Sequence, residues 1–412
     1  MSAAPRGSLQ GVKVVDLTRV LAGPLCTQIL ADQGADVIKI EPPAGDETRR
    51  LGPPFDGSGS AAYFSALNRG KRALSLDLSK AEAQEVLHRL LADADVLVEN
   101  FVPGTMERWG LGYEQVLAAR YPRLVYCSIS GFGNDGPLGG LPGYDAVLQA
   151  LCGVMSVNGE LASGSTRVGI PVVDHLTGYV ALSGILMALH ARYQDGRGQR
   201  VEATLFDTAL SLLVPHASNW FASGKSPELL GSAHPNIAPY DKYRAGDGEV
   251  FIGILNDSQF QRFANHIGLP ALMQDARFAS NALRVENRQA LKQVIEDAIA
   301  AHSCEQLCDA LMRANVPAAA VNSVPQALAH PHSVHRGIVV SRGGYTGMRS
   351  PMCLHGTPGT AGVAPPAFAQ DAQEILGELG YSEAERMQLR ESGAAPCGKT
   401  VSQTQPRQAA TA

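Results

Sequence analysis

Short apolar runs alternate with amphipathic stretches through the first 200 residues. Val12–Leu17 has the pattern of a buried strand, Pro24–Gln33 carries apolar residues at helical spacing, and Ala35–Ile40 (Ala-Asp-Val-Ile-Lys-Ile) is a second strand. Together they make a βαβ unit of the length a parallel sheet needs. The alternation continues through strand Ala73–Asp77, helix Lys80–Ala92, strand Val96–Glu99, helix Val116–Arg120 and strand Leu124–Ser130, which Gly131-Phe-Gly133 ends. This order predicts an α/β fold with a doubly wound parallel sheet.

The pattern changes in the second half. Tyr144–Gly153 and Leu176–Tyr193 read as helices, Arg200–Thr204 as a short strand and Phe206–Trp220 as a largely apolar helix. Ser223–Pro239 is rich in Gly, Ser and Pro and reads as a linker. Strand Glu249–Leu255, helices Ser258–Ile267, Arg284–His302 and Cys304–Ala314, and strand Ala318–Val321 then form a self-contained set. The predicted organisation is a large domain in two pieces, residues 1–222 and 331–395. A smaller α+β domain, residues 223–330 with its linker, is inserted between them. Asp371–Leu379 is a further helix, and the polar stretch 396–412 reads as a disordered tail.

Composition narrows the classes. Apolar residues make up 45% of the 412 and charged residues 18%, which is ordinary for a globular chain with a large core. The net charge of −5 comes from dispersed residues, so no nucleic-acid or membrane-surface partner is expected. The seven cysteines show no CxxC pair, and Cys304 and Cys308 share a helix face without further ligands, so no metal is expected. The opening residues lack an apolar signal core, and no uninterrupted apolar run reaches membrane-spanning length. A reduced, cytoplasmic protein is the expectation.

Candidate chemistry centres on Asp174, where the apolar run of Arg167-Val-Gly-Ile-Pro-Val-Val-Asp174 ends and an amphipathic helix pattern begins. A carboxylate at such a junction is either a helix N-cap or a nucleophile at a strand-to-helix corner. Other chemistries fit poorly. Gly131-Phe-Gly133-Asn-Asp-Gly136 has the glycine spacing of a dinucleotide loop, but a turn-rich segment follows in place of a helix. No phosphate loop with GK[ST] and no serine nucleophile elbow is present, and His330, His332 and His335 read as a loop beside Pro331.

Several segments, in fixed order, resemble the class III coenzyme A transferase family. They are Leu9-Gln-Gly-Val-Lys-Val-Val-Asp-Leu17, Ala22-Gly-Pro24, Gln33-Gly-Ala-Asp-Val-Ile-Lys-Ile-Glu41, Asn68-Arg-Gly-Lys71-Arg72, Val98-Glu-Asn100-Phe-Val-Pro103-Gly, Ser130-Gly-Phe-Gly, Pro142-Gly-Tyr144-Asp145 and Gly196-Arg-Gly198. The resemblance runs to about Leu379. It implies an enzyme that moves CoA between carboxylic acids with Asp174 as nucleophile, through an aspartyl anhydride and an aspartyl-CoA thioester. It also implies acyl-CoA and acid substrates, no resident cofactor, and an interlocked homodimer.

By the same resemblance, Asn100, Phe101 and Arg108 should contact CoA, with Lys39, Lys71 and Arg72 as candidates for its phosphates. For the acid, the candidates are Arg49, Arg50, Arg167, Tyr144 and Asn256. Phe101 as core, Arg108 as a surface residue and Asn256 as a helix cap are the structural alternatives. The stretch Ile252-Gly253-Ile-Leu-Asn256 has one glycine where formate- and oxalate-using members carry a run, which counts against those acids. His234-Pro-Asn236-Ile-Ala-Pro-Tyr240 resembles the linker of members that use dicarboxylates, so a C4–C6 acid such as itaconate or glutarate, with succinyl-CoA as donor, is expected. Two alternatives from the same fold are an α-methylacyl-CoA racemase and a non-catalytic acyl-CoA-binding protein. The racemase would need a histidine base where Tyr144 stands, and tyrosine is a poor base at neutral pH.

Overall fold

A computed structural model describes residues 7–57, 59–342, 344–359 and 363–396, so residues 397–412 of the expected tail lie outside the described residues. Six strands form one parallel sheet: β1 (Lys13–Asp16), β2 (Asp36–Glu41), β3 (Arg72–Ser75), β4 (Val96–Glu99), β5 (Val125–Ser130) and β6 (Arg200–Thr204). Their spatial order is β3-β2-β1-β4-β5-β6. The chain therefore winds outward from β1 in one direction and from β4 in the other, leaving a crevice outside the strand C-termini between them.

The strands form because their residues can be buried on both faces, which is why they read as continuous Val/Ile/Leu runs. Val15, Ile38, Ile40, Leu74, Leu97 and Tyr126 pack with Val86, Leu87 and Leu90 of helix α2 (Ala81–Leu91) and with Ile375 and Leu376 of helix Ala372–Glu378. The alternate residues Val14, Val37, Val96 and Val125 are equally buried and face the other way. There α1 (Ala22–Asp32) and α3 (Val172–Asp195) lie against each other and the sheet.

Among the described residues, this unit comprises those up to Leu148, Ile170–Leu210 and those from Val334 on. The second unit takes Gln149–Gly169 as well as Ser211–Ser333, so the boundary expected at 222/223 falls at 210/211. The apolar helix expected over Phe206–Trp220 is two helices, Leu205–Ser211 and His216–Ser223. Pro215 lacks the N–H that a continuous helix would require. The second unit holds a three-stranded antiparallel sheet of Ala318–Ala320, Glu249–Gly253 and Tyr240–Arg244, in that order. Phe260, Phe263, Phe278, Ile295 and Leu311 fill its core. The long helix expected over Arg284–His302 breaks at Asn287 into Asn281–Glu286 and Arg288–Ile299.

Two further expectations change. His332 and His335 lie on the helix Pro331–Arg336, with His330 immediately before it, and not on a loop. Helix α3, 24 residues long, is long and apolar enough to cross a membrane. In the structure it buries one stripe (Val173, Thr177, Ala181, Leu182, Ile185 and Ala188) within the unit, the pattern of a helix packed on one face.

Candidate active site

Three turns that leave the C-terminal ends of β1, β4 and β5 line one cleft of about 160 Å3. These turns, with the last residues of β5, supply Arg19–Ala22, Asn100–Pro103 and Ile129–Gly131; Glu47, Leu141–Tyr144, Leu205 and Asp174 complete the wall. The crevice that the strand order predicts is therefore the site that holds the candidate nucleophile.

Asp174 is the third residue of α3. No strand precedes it and no turn follows, so the strand-to-helix corner expected from the sequence is replaced by the first turn of a helix that begins at Val172. The capping alternative also falls away. Pro171 offers no side-chain cap, and Oδ2 of Asp145 accepts from the backbone N–H of Val173 at 2.8 Å and of Asp174 at 3.2 Å. One carboxylate thus satisfies the helix N-terminus and leaves the other free. Burial pushes the Asp174 carboxyl up to about 7, and the adjacent Asp145 adds to the rise. His175 turns its Nδ1 toward the carbonyl of Pro171, 3.0 Å away, so it belongs to the helix start.

Two close approaches fix this geometry. A Cβ on Gly178, one turn beyond Asp174, would sit 2.7 Å from the carbonyl oxygen of Ala22, so only glycine lets α3 lie this near the start of α1. Gly131 and Gly143 meet in the same way, with a Cβ on either coming within 2.8 Å of the other's Cα. Both glycines line the cleft.

The β1–α1 turn is held from two sides. Asn100 accepts from the Arg19 backbone N–H through Oδ1 at 2.9 Å and donates through Nδ2 to the Arg19 carbonyl at 2.7 Å. Below it, Lys39 Nζ donates to the Thr18 carbonyl at 2.8 Å. Immediately after these anchors Val20 adopts φ +68°, a strained conformation for a β-branched residue and one that a site under tight constraint can store.

Of the residues the sequence nominated, Asp174, Asn100, Phe101 and Tyr144 line the cleft. Phe101 also packs on the core and on Trp109, at 5.2 Å between ring centroids, so its two readings are compatible. Arg108 is exposed on the short helix Thr105–Arg108, and its Nη2 donates to Thr105 Oγ1 at 2.7 Å. Four cations expected at CoA phosphates or at the acid are committed elsewhere. Lys39 is fully buried and paired with Asp46 at 3.0 Å, and Lys71 is fully buried against Asp16 at 2.9 Å, Asn68 Oδ1 and the Pro24 carbonyl. Arg72 forks onto Asp36 and reaches Glu378. Arg49 binds Glu41 through Nε at 2.8 Å and Nη2 at 2.6 Å, donates to Ser60 and Pro366, and stacks over Phe64. Arg50 is exposed.

Arg167 and Asn256 belong to the second unit. Arg167 is exposed and donates to the carbonyls of Val168 and Gly169. Asn256 caps helix Asp257–His266, its Oδ1 accepting from Gln259 N–H at 2.9 Å, so the capping alternative is what the structure contains. Among the described residues, no group of His, Cys, Asp and Glu could hold a metal ion.

Sequence reasoning missed three residues. Arg19 lines the cleft; its position directly after β1, at the point where the winding reverses, was the available signal. Glu99 lies buried behind Phe101, accepting from the Phe101 N–H at 2.8 Å and from the Tyr126 hydroxyl at 3.0 Å, and burial pushes its carboxyl up to about 7. The phenol of Tyr63 lies in the field of the site: burial and then Asp174 push it up to about 12. No local pattern marks either of the last two.

The sequence model described as CoA-transferase family III matches residues 9–372. The succinate–glutarate CoA-transferase of Agrobacterium fabrum is 38% identical over 382 residues, covering 90% of this chain and 95% of that protein. The acetyl-CoA:oxalate CoA-transferase of Acetobacter aceti is 39% identical over 356 residues, covering 86% and 91%. Among solved structures, a CAIB/BAIF family protein from Brucella suis superposes with a TM-score of 0.82 at 40% identity, covering 91% of this chain and all of that one.

Proposed function

The chain belongs to CoA-transferase family III, and from that premise we propose that it moves CoA from succinyl-CoA to a C4–C6 dicarboxylate such as glutarate or itaconate, with Asp174 as the nucleophile. An Asp174 oxygen attacks the thioester carbonyl and the C–S bond breaks, leaving a mixed anhydride and CoA thiolate. The thiolate attacks the Asp174 acyl carbon, which expels succinate and forms an aspartyl-CoA thioester. A carboxylate of the incoming acid displaces the thiolate to give a second anhydride. Attack of the thiolate on the acid's carbonyl then yields the new acyl-CoA and restores Asp174. Electrons and protons balance without a redox partner or a metal.

The observation that carries this reading is the division of labour between the two carboxylates. Asp145 satisfies the helix N-terminus, while Asp174 lines the cleft with its carboxylate unengaged by any hydrogen bond among the described residues. A carboxyl near 7 is a better nucleophile than an ordinary one and is still substantially ionised at neutral pH. The choice of acid is supported by the Agrobacterium fabrum relative, whose name gives succinate and glutarate. A homodimer is supported by the outer face of α3, where Val180, Met187 and Tyr193 are exposed in the single chain.

A donor–acceptor matrix tests the proposal: acetyl-, butyryl- and succinyl-CoA against oxalate, succinate, glutarate, itaconate and monocarboxylates, with products read by mass spectrometry. CoA should pass from succinyl-CoA to glutarate or itaconate with little net hydrolysis. Turnover that ignores the acceptor, or α-carbon exchange in deuterated water without transfer, would reject it.

A further inference from the structure

Resting on the dicarboxylate reading above, we propose that Arg19 determines specificity by holding the far carboxylate of the acid whose near carboxylate reacts at Asp174. A second carboxylate taken into a cleft must be matched by a cation or by several donors, since an unpaired buried charge is strongly disfavoured. Among the described residues that line the cleft, Arg19 is the single cation. Arg49, the nearest competitor in the sequence, has its guanidinium engaged by Glu41, Ser60 and Pro366.

The placement of Arg19 suits this role in three ways. Its backbone is fixed on both sides by the Asn100 amide, so the side chain departs from a defined point. Its guanidinium lies 5.8 Å from the centre of the Phe101 ring, on the same wall. Its polar atoms are incompletely used. Nη1 makes one contact, 3.3 Å to Oε2 of Glu47, and both side chains there are partly exposed. Nε is buried and has no hydrogen-bond partner among the described residues.

A buried guanidinium N–H without an acceptor is destabilising, and a carboxylate accepting through two oxygens is its matching partner. Glu47 also lines the cleft and holds the guanidinium loosely until the acid shares it. The arrangement differs from Arg49–Glu41, where the fork is closed and nothing remains to offer.

The test compares glutarate with pentanoate, acids of equal length that differ by one carboxylate, in wild type, Arg19→Gln and Arg19→Lys. In wild type, kcat/KM should favour glutarate. In Arg19→Gln that preference should fall by about 10- to 100-fold, the scale of a charge-assisted hydrogen bond. Arg19→Lys should fall between the two, because it keeps the charge and loses the fork. Glu47→Gln, which frees the guanidinium, should lower the KM for glutarate relative to pentanoate.

Arg19→Gln losing efficiency equally with both acids would overturn the proposal, because Arg19 would then serve CoA or the fold. A higher relative KM for glutarate in Glu47→Gln would overturn the shared-guanidinium geometry. A wild type without a glutarate preference would instead overturn the dicarboxylate reading itself, an outcome visible before any variant is made.

Discussion

Two groups of charged side chains lie on either side of the β1–α1 turn, and they differ in how completely they are paired. Beneath the turn, Asp16, Lys71, Lys39 and Asp46 are buried with each charge opposed by another. Asp16 also accepts from Thr18 Oγ1 at 2.5 Å and Thr27 Oγ1 at 2.7 Å. Beyond the turn, Asp174 stands next to a like charge and Arg19 has one loose contact. Both groups combine aspartates with cations, lysines beneath the turn and an arginine beyond it. Saturated charges hold the backbone in place, and unsaturated ones are free for a ligand. The sequence presents both groups as basic and acidic residues near glycines, and only the partners separate them.

The largest effect that could break this contrast is expected at Asp174. Asp174→Asn keeps the size and the helix while removing the proposed nucleophile, since a neutral amide cannot form the anhydride. Transfer should fall by about four orders of magnitude or more, in line with losses of other covalent nucleophiles. Wild type incubated with succinyl-CoA and then hydroxylamine should carry the modification on Asp174 alone. Substantial transfer by the variant would remove Asp174 from the chemistry and, with it, the functional half of the comparison.

The buried group should respond in stability. Lys71→Met leaves Asp16 without its main counter-charge in a site where burial has already pushed the Lys71 ammonium down to about 8. Breaking a buried pair from one side costs about 3–5 kcal/mol, read as a lower denaturant midpoint with the slope unchanged. The folded fraction should keep its relative preference among acids. A variant of wild-type stability that binds CoA esters poorly would instead make Lys71 a phosphate ligand.

The contrast also explains how far the sequence could be read. The strands were legible because burial on both faces leaves an uninterrupted apolar run, and β1, β2, β4 and β5 fall within a residue or two of their expected positions. The charge partners were not legible as such. Asp16 and Lys39 lie 23 positions apart yet face each other in the β1–β2 register, and Glu41 meets Arg49 only because the chain folds back after β2.

The start of α3 was misplaced for a related reason. Pro-Val-Val reads locally as extended, and the group that allows a helix to begin there is Asp145, supplied from 27 residues before Val172. Pro215 was the opposite case, a local breaker in plain view within an otherwise helical pattern. Arg19 needed the strand order before its position meant anything, because the crevice is a property of the winding.

The smallest effect concerns what an unsaturated carboxylate does to the fold. Asp174 titrates near 7 in the folded chain and near 3.9 when unfolded. Between those values the folded state binds the additional proton, so stability attributable to this group declines as pH rises from about 4 to about 7 and is level above that. Asn at this position does not titrate. The difference in melting temperature between Asp174→Asn and wild type should therefore be near its minimum at pH 4, grow in favour of the variant up to about pH 7 and be level above that. The paired carboxylate of Asp16 is held below its ordinary value by Lys71 and Lys39 in spite of burial, so its stabilising contribution runs the other way and is lost as pH falls. Scanning calorimetry of the two proteins across this range separates the cases. A difference that is constant with pH, or that shrinks as pH rises, would mean that Asp174 is paired in the folded chain after all, and that the two groups of charges do not differ in kind.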